Sequence, residues 1–234
     1  NSDRNCHQYA YGINMTASSN ATASSCYYGT LTMTGGTVQA TSAWDASYTC
    51  YAYGVRVQKA VTAVADATKT ADGTHSQKAS AIGSITGGTI TVDIKGNYAY
   101  GVMVEGNYNS YNKTSNTFHI SGATITSKAK NYAYGVYSNA SIDGTCGGYH
   151  YGKVELDDNT VTARTTAASA YAVQVASTSA TIYQDKQASY YGEYATAAEM
   201  TINSGTYNAF AGSSAAYAAV SSTRSKSTYG TDNS

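Results

Sequence analysis

The chain has no proline, one tryptophan and two phenylalanines, and only 12% of its 234 residues are charged. A sequence without proline suits backbone whose amide hydrogens are all in use, as in paired strands. The charged share is about half that usual for soluble domains. Fourteen basic and fourteen acidic residues cancel. Neither the basic footprint that nucleic acid requires nor an acidic tail is present. No run of about 18 apolar residues occurs, so no segment reads as a membrane span. The start, Asn1-Ser2-Asp3-Arg4, carries no methionine and no apolar signal region, and reads as a processed mature chain or a trimmed one.

Signatures of chemistry are also missing. There is no Gly-x-Ser-x-Gly elbow and no phosphate loop. The four cysteines, Cys6, Cys26, Cys50 and Cys146, form no Cys-x-x-Cys pair, and no histidine lies at ligand spacing, which argues against zinc. Polysaccharide lyases and hydrolases need converging carboxylates, in some cases with calcium. The one adjacent acidic pair, Asp157-Asp158, falls where other repeats carry a glycine turn. Asp143, Glu155 and Glu193 are isolated, and His7, His75, His119 and His150 have no partner at fixed spacing. The reading is a protein without catalytic residues, metal or cofactor.

What the chain has in abundance is tyrosine, 24 residues of it, and most of the pattern is a repeat. Ala-Tyr-Gly or Ala-Tyr-Ala begins at Ala10, Ala52, Ala99, Ala133, Ala170 and Ala216, so Tyr11, Tyr53, Tyr100, Tyr134, Tyr171 and Tyr217 are equivalent. Four copies extend to Tyr-Ala-Tyr-Gly-Val/Ile. The intervals are 42, 47, 34, 37 and 46 residues. A second anchor is a turn-like triplet before threonine, ending at Thr37, Thr89, Thr124, Thr160 and Thr206. Gly, Asn, Asp and Ser fill these triplets, the residues that accept tight bends and positive φ.

Apolar residues alternate on both sides of the turn, as in Leu31 and Met33 before it and Ile90 and Val92 after it. The tyrosine segment alternates too. Period two with β-branched residues reads as strand. Each unit therefore offers three strands, and five units plus a sixth first strand describe one all-β domain over residues 1–234. Its predicted class is a right-handed parallel β-helix, about 24 Å tall at roughly 4.8 Å per coil. An antiparallel sandwich with hairpins at the Gly-Gly turns fits the strands alone; the recurrence of whole columns favours the helix. The length variation predicts edge loops at Asn14 to Thr30, Gln58 to Ala81, Glu105 to Thr117, Asn139 to Lys153 and Ala176 to Glu199. Parity groups the tyrosines with the valines, hence with the interior, although a Tyr/Ala/Gly stretch at a corner accommodates either orientation.

Cys6 and Cys50 both sit just before a tyrosine segment in successive units, a placement that suits a disulfide; Cys26 and Cys146 are then left to pair. Disulfides imply an oxidising, extracellular setting. Four N-glycosylation sequons, at Asn14, Asn20, Asn112 and Asn139, agree with it, each in an expected edge loop.

Repeats such as Gly87-Gly88-Thr89-Ile90-Thr91-Val92 followed by Tyr98-Ala99-Tyr100-Gly101-Val102 resemble the β-solenoid passenger repeats of bacterial surface adhesins and autotransporter-like secreted proteins. The resemblance runs from about Tyr9 to Val220. It implies a right-handed β-helix outside the cell, used for adhesion or matrix building. The chain departs from that pattern in having no anchoring barrel and no recognisable cap.

Three functions are expected on these grounds. A solenoid with an uncapped end, repeating at Ala216 what it begins at Tyr9, invites stacking on copies of itself, and a contact that does not close makes a filament. The alternative is a monomeric adhesin that binds surface glycans through Tyr108, Tyr111, Tyr149, Tyr151, Tyr190 and Tyr191 in edge loops. The third is ice binding by the Thr-x-Thr array of Thr89/Thr91, Thr124/Thr126 and Thr160/Thr162, against the ordinary fitness of threonine for outward strand positions.

Overall fold

A computed structural model of the chain describes residues 8–20, 27–42, 49–62, 78–108, 113–142, 150–182 and 196–227. Strands come in threes. The first coil is β1 (Gln8–Asn20), β2 (Tyr27–Met33) and β3 (Thr37–Ser42). The second is β4 (Cys50–Thr62), β5 (Lys78–Thr86) and β6 (Thr89–Ile94); the third is β7 (Tyr98–Tyr108), β8 (Lys113–Ser121) and β9 (Thr124–Ala129). The fourth is β10 (Tyr132–Ile142), β11 (His150–Asp157) and β12 (Asn159–Thr165); the fifth is β13 (Ala170–Ile182), β14 (Thr196–Ile202) and β15 (Gly205–Phe210). A sixth begins with β16 (Ala216–Ser227).

Like strands pair with like. Sheet I is β1-β4-β7-β10-β13-β16, sheet II is β2-β5-β8-β11-β14, and sheet III is β3-β6-β9-β12-β15. All thirteen pairings are parallel, which rules out the hairpin sandwich and leaves a parallel β-helix of three strands per coil. Thr37, Thr89, Thr124, Thr160 and Thr206 stand in one file. Between sheets II and III the chain turns at Gly35, Gly36, Gly87, Gly88, Gly122 and Gly205, all at positive φ, and at Asp158 with φ 50°. That tight left-handed corner is why the triplets read as glycine, asparagine and aspartate.

Two expectations need correction. The strands of sheet I run well into the predicted edge loops: β1 and β4 are 13 residues long, against 6 for β3 and β6. The Ser, Thr, Ala and Gln residues there contain no breaker, and in-register pairing simply continues, to Asn20 over Thr62 in the first two coils. The stretches 21–26, 63–77, 109–112, 143–149 and 183–195 lie outside the described residues. The second correction concerns parity. Ala52, Ala99, Ala133 and Ala170 are buried, and so are Val55, Val57, Val102 and Val104. Inward positions therefore fall on the alanine, the glycine after the tyrosine, and then the next residue as well. Alternation breaks at that glycine, and the tyrosines point out while the valines point in.

The glycine is there because the strand bends round a corner. A Cβ on Gly101 would overlap Ile125 of sheet III and close on the Gly135 carbonyl of the next coil. Before it, alanines pack into a narrow cluster with Ala40, Val92, Ile94, Ala129 and Ala163. After it, the valines join the main core of Leu31, Ile85, Ile90, Phe118, Ile120, Ile125 and Leu156. Small residues line the tight angle and branched ones the wide interior.

Core columns are not uniform. One reads Leu31, Gly83, Phe118, Val154, Met200. A Cβ on Gly83 would fall inside the Phe118 ring. Coil two is emptied so that coil three can be overfilled. Gly83→Val alone should cost about 1–3 kcal/mol through overpacking, and Phe118→Ala alone about 3–5 kcal/mol through the cavity. Combined, they should cost less than the sum by about 0.5–3 kcal/mol in a urea-unfolding double-mutant cycle; additivity would show that the two sites do not share space. A second column reads Val57, Val104, Ser138, Val175. Ser138 is fully buried and its hydroxyl has no hydrogen-bond partner. Ser138→Val should raise stability by about 1 kcal/mol or more, read as a higher urea midpoint.

Candidate functional site

The bend that turns the tyrosines outward, together with strict register, stacks them on the outer face of sheet I. Tyr11, Tyr53, Tyr100, Tyr134, Tyr171 and Tyr217 form one column, with successive ring centroids 5.1, 5.1, 4.7, 5.0 and 5.1 Å apart. Tyr9, Tyr51, Tyr98 and Tyr132 form a second, at 5.5, 4.8 and 5.1 Å. Ring planes within these columns agree to 14° or better. Each ring covers its neighbours' faces. Tyr53, in mid-column, is 5% exposed, whereas Tyr11 and Tyr217 at the two ends are 37% and 41% exposed.

Beside the six-ring column runs a third, Arg56, Met103, Tyr137 and Gln174, and beyond it a fourth, Gln58, Glu105 and Asn139. The Arg56 guanidinium lies 4.9 Å from the Tyr53 ring centre and 5.8 Å from that of Tyr11, and its Nη1 donates to Tyr11 Oη at 3.2 Å. Its Nη2 is 3.5 Å from Glu105 Oε2, to which Gln58 Nε2 donates at 3.2 Å. Tyr137 tilts against Tyr100 and Tyr134. Arg56 and Glu105 are only 15% and 18% exposed in their side chains. Burial raises the Glu105 carboxyl above its ordinary range, and the Arg56 charge and hydrogen bond only partly offset this. Burial also pushes Tyr137 up to about 12, aided by the Glu105 charge. Tyr53, Tyr100 and Tyr134 are likewise raised, chiefly by burial. These three inner rings of the ladder are therefore held as neutral phenols.

Sheet III presents a different face. The threonine file is flanked by Gln39, Thr91, Thr126, Thr162 and Asn208, and then by Thr41, Asp93, Lys128, Arg164 and Phe210. Lys128 pairs with Asp93 at 3.2 Å, both about half exposed, and Arg164 lies 4.2 Å over the Phe210 ring.

The other sequence-derived residues disperse. Asp157 and Asp158 form the fourth turn: Asp157 Oδ1 accepts from Ser204 Oγ at 2.7 Å, and the Asp158 amide donates to Ser204 Oγ at 2.8 Å. His119 and Glu155 are half-buried neighbours in sheet II. Cys50 is a buried thiol whose Sγ lies 3.7 Å from Gln8 Oε1. Register puts Gln8 over Cys50; Cys6, Cys26 and Cys146 lie outside the described residues, as do Asn112, His7, His75, Asp143 and Glu193. Three sequons expected in loops are in strands. Asn14 is exposed in β1, Asn20 ends β1, and Asn139 is half-buried in β10 between Glu105 and Ala176. Tyr108 closes β7 and Tyr151 is in β11; Tyr111, Tyr149, Tyr190 and Tyr191 are outside the described residues. Among the described residues no cluster of three or more His, Cys, Asp or Glu could hold a metal, and no helix is long and apolar enough to cross a membrane.

Sequence reasoning missed two features. One is the Arg56–Glu105 pair, whose only signal is that each follows its tyrosine segment by a few residues in adjacent units. The other is Asn159, which is fully buried, donates to the Ile120 carbonyl at 2.7 Å and accepts from the Ala123 amide at 3.0 Å. No protein-family model, curated protein or solved structure matches the chain.

The Glu105 carboxyl, raised in the fold, binds a proton more tightly there than in the unfolded chain. Its contribution to stability is thus complete below the ordinary carboxylate range and is lost as pH rises through the raised value. Relative to Glu105→Gln, the native chain should gain stability as pH falls from neutrality toward 4.5, the ordinary value. Paired urea titrations across that range give the difference; a flat or opposite slope would mean that Arg56 outweighs burial.

Proposed function

We propose that this solenoid is a structural subunit of the cell exterior that stacks on further copies of itself into a filament or surface fibre. The observation that carries the reading is where apolar surface is left uncovered. Among the described residues six large apolar side chains are exposed: Tyr9 and Tyr11 in the first coil, Ile202, Phe210 and Tyr217 in the last two, and Ile82 between them. Tyr9, Tyr11 and Tyr217 end the outer ring columns, Phe210 ends an outer column of sheet III, and Ile202 ends an inner column of sheet II. Among the described residues the outer edges of β1 and β16 pair with no other strand, and unpaired edges of long strands pair readily with another chain.

Sheet I offers the longest edges, 13 residues in β1 and 12 in β16. It also has six strands where sheets II and III have five. A copy whose β1 pairs with β16 thus leaves one strand position open in each of the other sheets, and the junction rests on sheet I. In that pairing Tyr11 continues the ring column beyond Tyr217. The low charge of the chain places little repulsion between copies. Further coils of a longer chain would satisfy the same edges, so the decisive sample is the 234-residue chain by itself.

The purified chain should form unbranched filaments in negative-stain microscopy. Replacing Tyr11 and Tyr217 together by lysine, both exposed at the ends, should leave the β-sheet circular dichroism intact and yield dispersed monomers. Monomers from the native chain, or filaments indifferent to the double substitution, would overturn the reading. The threonine file supports a second reading, ice binding on sheet III, although Gln39 and Asn208 interrupt its second column; thermal hysteresis of the monomeric variant tests it. Glycan binding finds little support on the ladder, since sugars stack on ring faces and these faces cover one another.

A further inference from the structure

Ten tyrosines in two uninterrupted files are more than packing requires, and their chemistry differs from that of any other aliphatic or aromatic filler. Phenols are the side chains, with indole and thiol, that surrender one electron most readily. Here neighbouring rings are 4.7–5.5 Å apart between centroids and nearly parallel. Register gives every ring the same orientation, so like edge lies over like edge. The end rings Tyr9, Tyr11 and Tyr217 are exposed to an oxidant, while Tyr53 is buried between its neighbours.

We propose that the two tyrosine columns are a site of oxidative modification, in which rings of successive coils are joined as dityrosine. The oxidant is a peroxidase-type or photochemical one-electron acceptor, with hydrogen peroxide or persulfate as the terminal sink. Each of two neighbouring rings gives up one electron to the oxidant and its phenolic proton to water. The two phenoxyl radicals form a carbon–carbon bond between positions ortho to oxygen; each bonded carbon then loses its hydrogen as a proton while the oxygen regains one. In sum two phenols lose two hydrogens, and one peroxide is reduced to two waters. A radical made at an exposed end ring exchanges inward by electron transfer between stacked rings. Once inside the column its parallel partners are the adjacent rings of the file, the one other ring against Tyr100 and Tyr134 among the described residues being the tilted Tyr137, which directs coupling chiefly to neighbours in the file. The product fastens coils together covalently, as a disulfide would, across loops of 34 to 47 residues. This holds whether or not the chain forms filaments.

The test is photo-oxidation of the dilute protein, in its monomeric Tyr11→Lys/Tyr217→Lys form as well as native, with a ruthenium photosensitiser and persulfate. Dityrosine fluorescence should appear with a yield independent of protein concentration. Peptide mass spectrometry should find Tyr51 joined to Tyr98 and Tyr100 joined to Tyr53 or Tyr134, and the modified protein should melt higher. Tyr100→Phe keeps the ring and the stack, which thermal unfolding before oxidation verifies; it should abolish both Tyr100 links and spare Tyr51–Tyr98. Links found only between molecules, a yield that rises with concentration, or joined residues that are not column neighbours would overturn the proposal.

Discussion

Side chains in this fold meet their own equivalents. Parallel in-register pairing places residue n of one coil over residue n of the next, so each position is selected for what it does against a near copy of itself. Apolar, aromatic and hydroxyl side chains tolerate that; like charges do not. The low charge content follows directly. Some charges in the columns are met by their opposite, as Asp93 is by Lys128 in the next coil, or offset by one step, as Arg56 is from Glu105; others are not, since Lys128 is also in register with Arg164 and Lys78 with Lys113. Proline is absent for the related reason that every strand other than those at the two ends is paired on both sides.

Tyrosine is well suited to such a column. Its ring stacks with about 0.5–1.5 kcal/mol per pair beyond the area it covers, and its hydroxyl reaches water at the edge. Glycine after it permits the bend that aims it outward. The same stacking that stabilises the ladder shields Tyr53, Tyr100 and Tyr134 from ionisation, since a phenolate there would lose its hydration and face other phenols along the file. The ladder and the bend depend on each other: with a larger residue at Gly101 the strand could not close on sheet III, and the tyrosines would lose the register that lets them stack.

The fold was legible because repetition exposes register. The threonine file and the glycine corners could be read from spacing alone, and both stand where the spacing puts them. Orientation of the tyrosines was not legible, because parity is a rule for straight strands and Tyr-Gly-Val is a bend; Val55 and Ala52 have opposite parity yet both face in. The extent of sheet I was hidden because Ser, Thr, Ala and Gln serve in strands and loops alike. The surface around Arg56 and Glu105 could not be read, since its hydrogen bonds join residues 45 and 47 positions apart that share no motif. Asn159 looked like a turn residue but opens β12, and its side chain ties the fourth coil to the third.

Likeness between coils creates a problem that the exceptions solve. Identical columns would let the third coil pair with the first as readily as with the second, and nothing in a uniform ladder would prefer the correct neighbour. Phe118 does prefer it: only over Gly83 is there room for the ring, whereas Leu31 two coils away fills that space. Arg56 gains its carboxylate only when the second coil lies against the third, and Asn159 reaches its two partners only from the fourth coil to the third. Repetition thus supplies the cohesion of the solenoid, and the irregular positions supply its order.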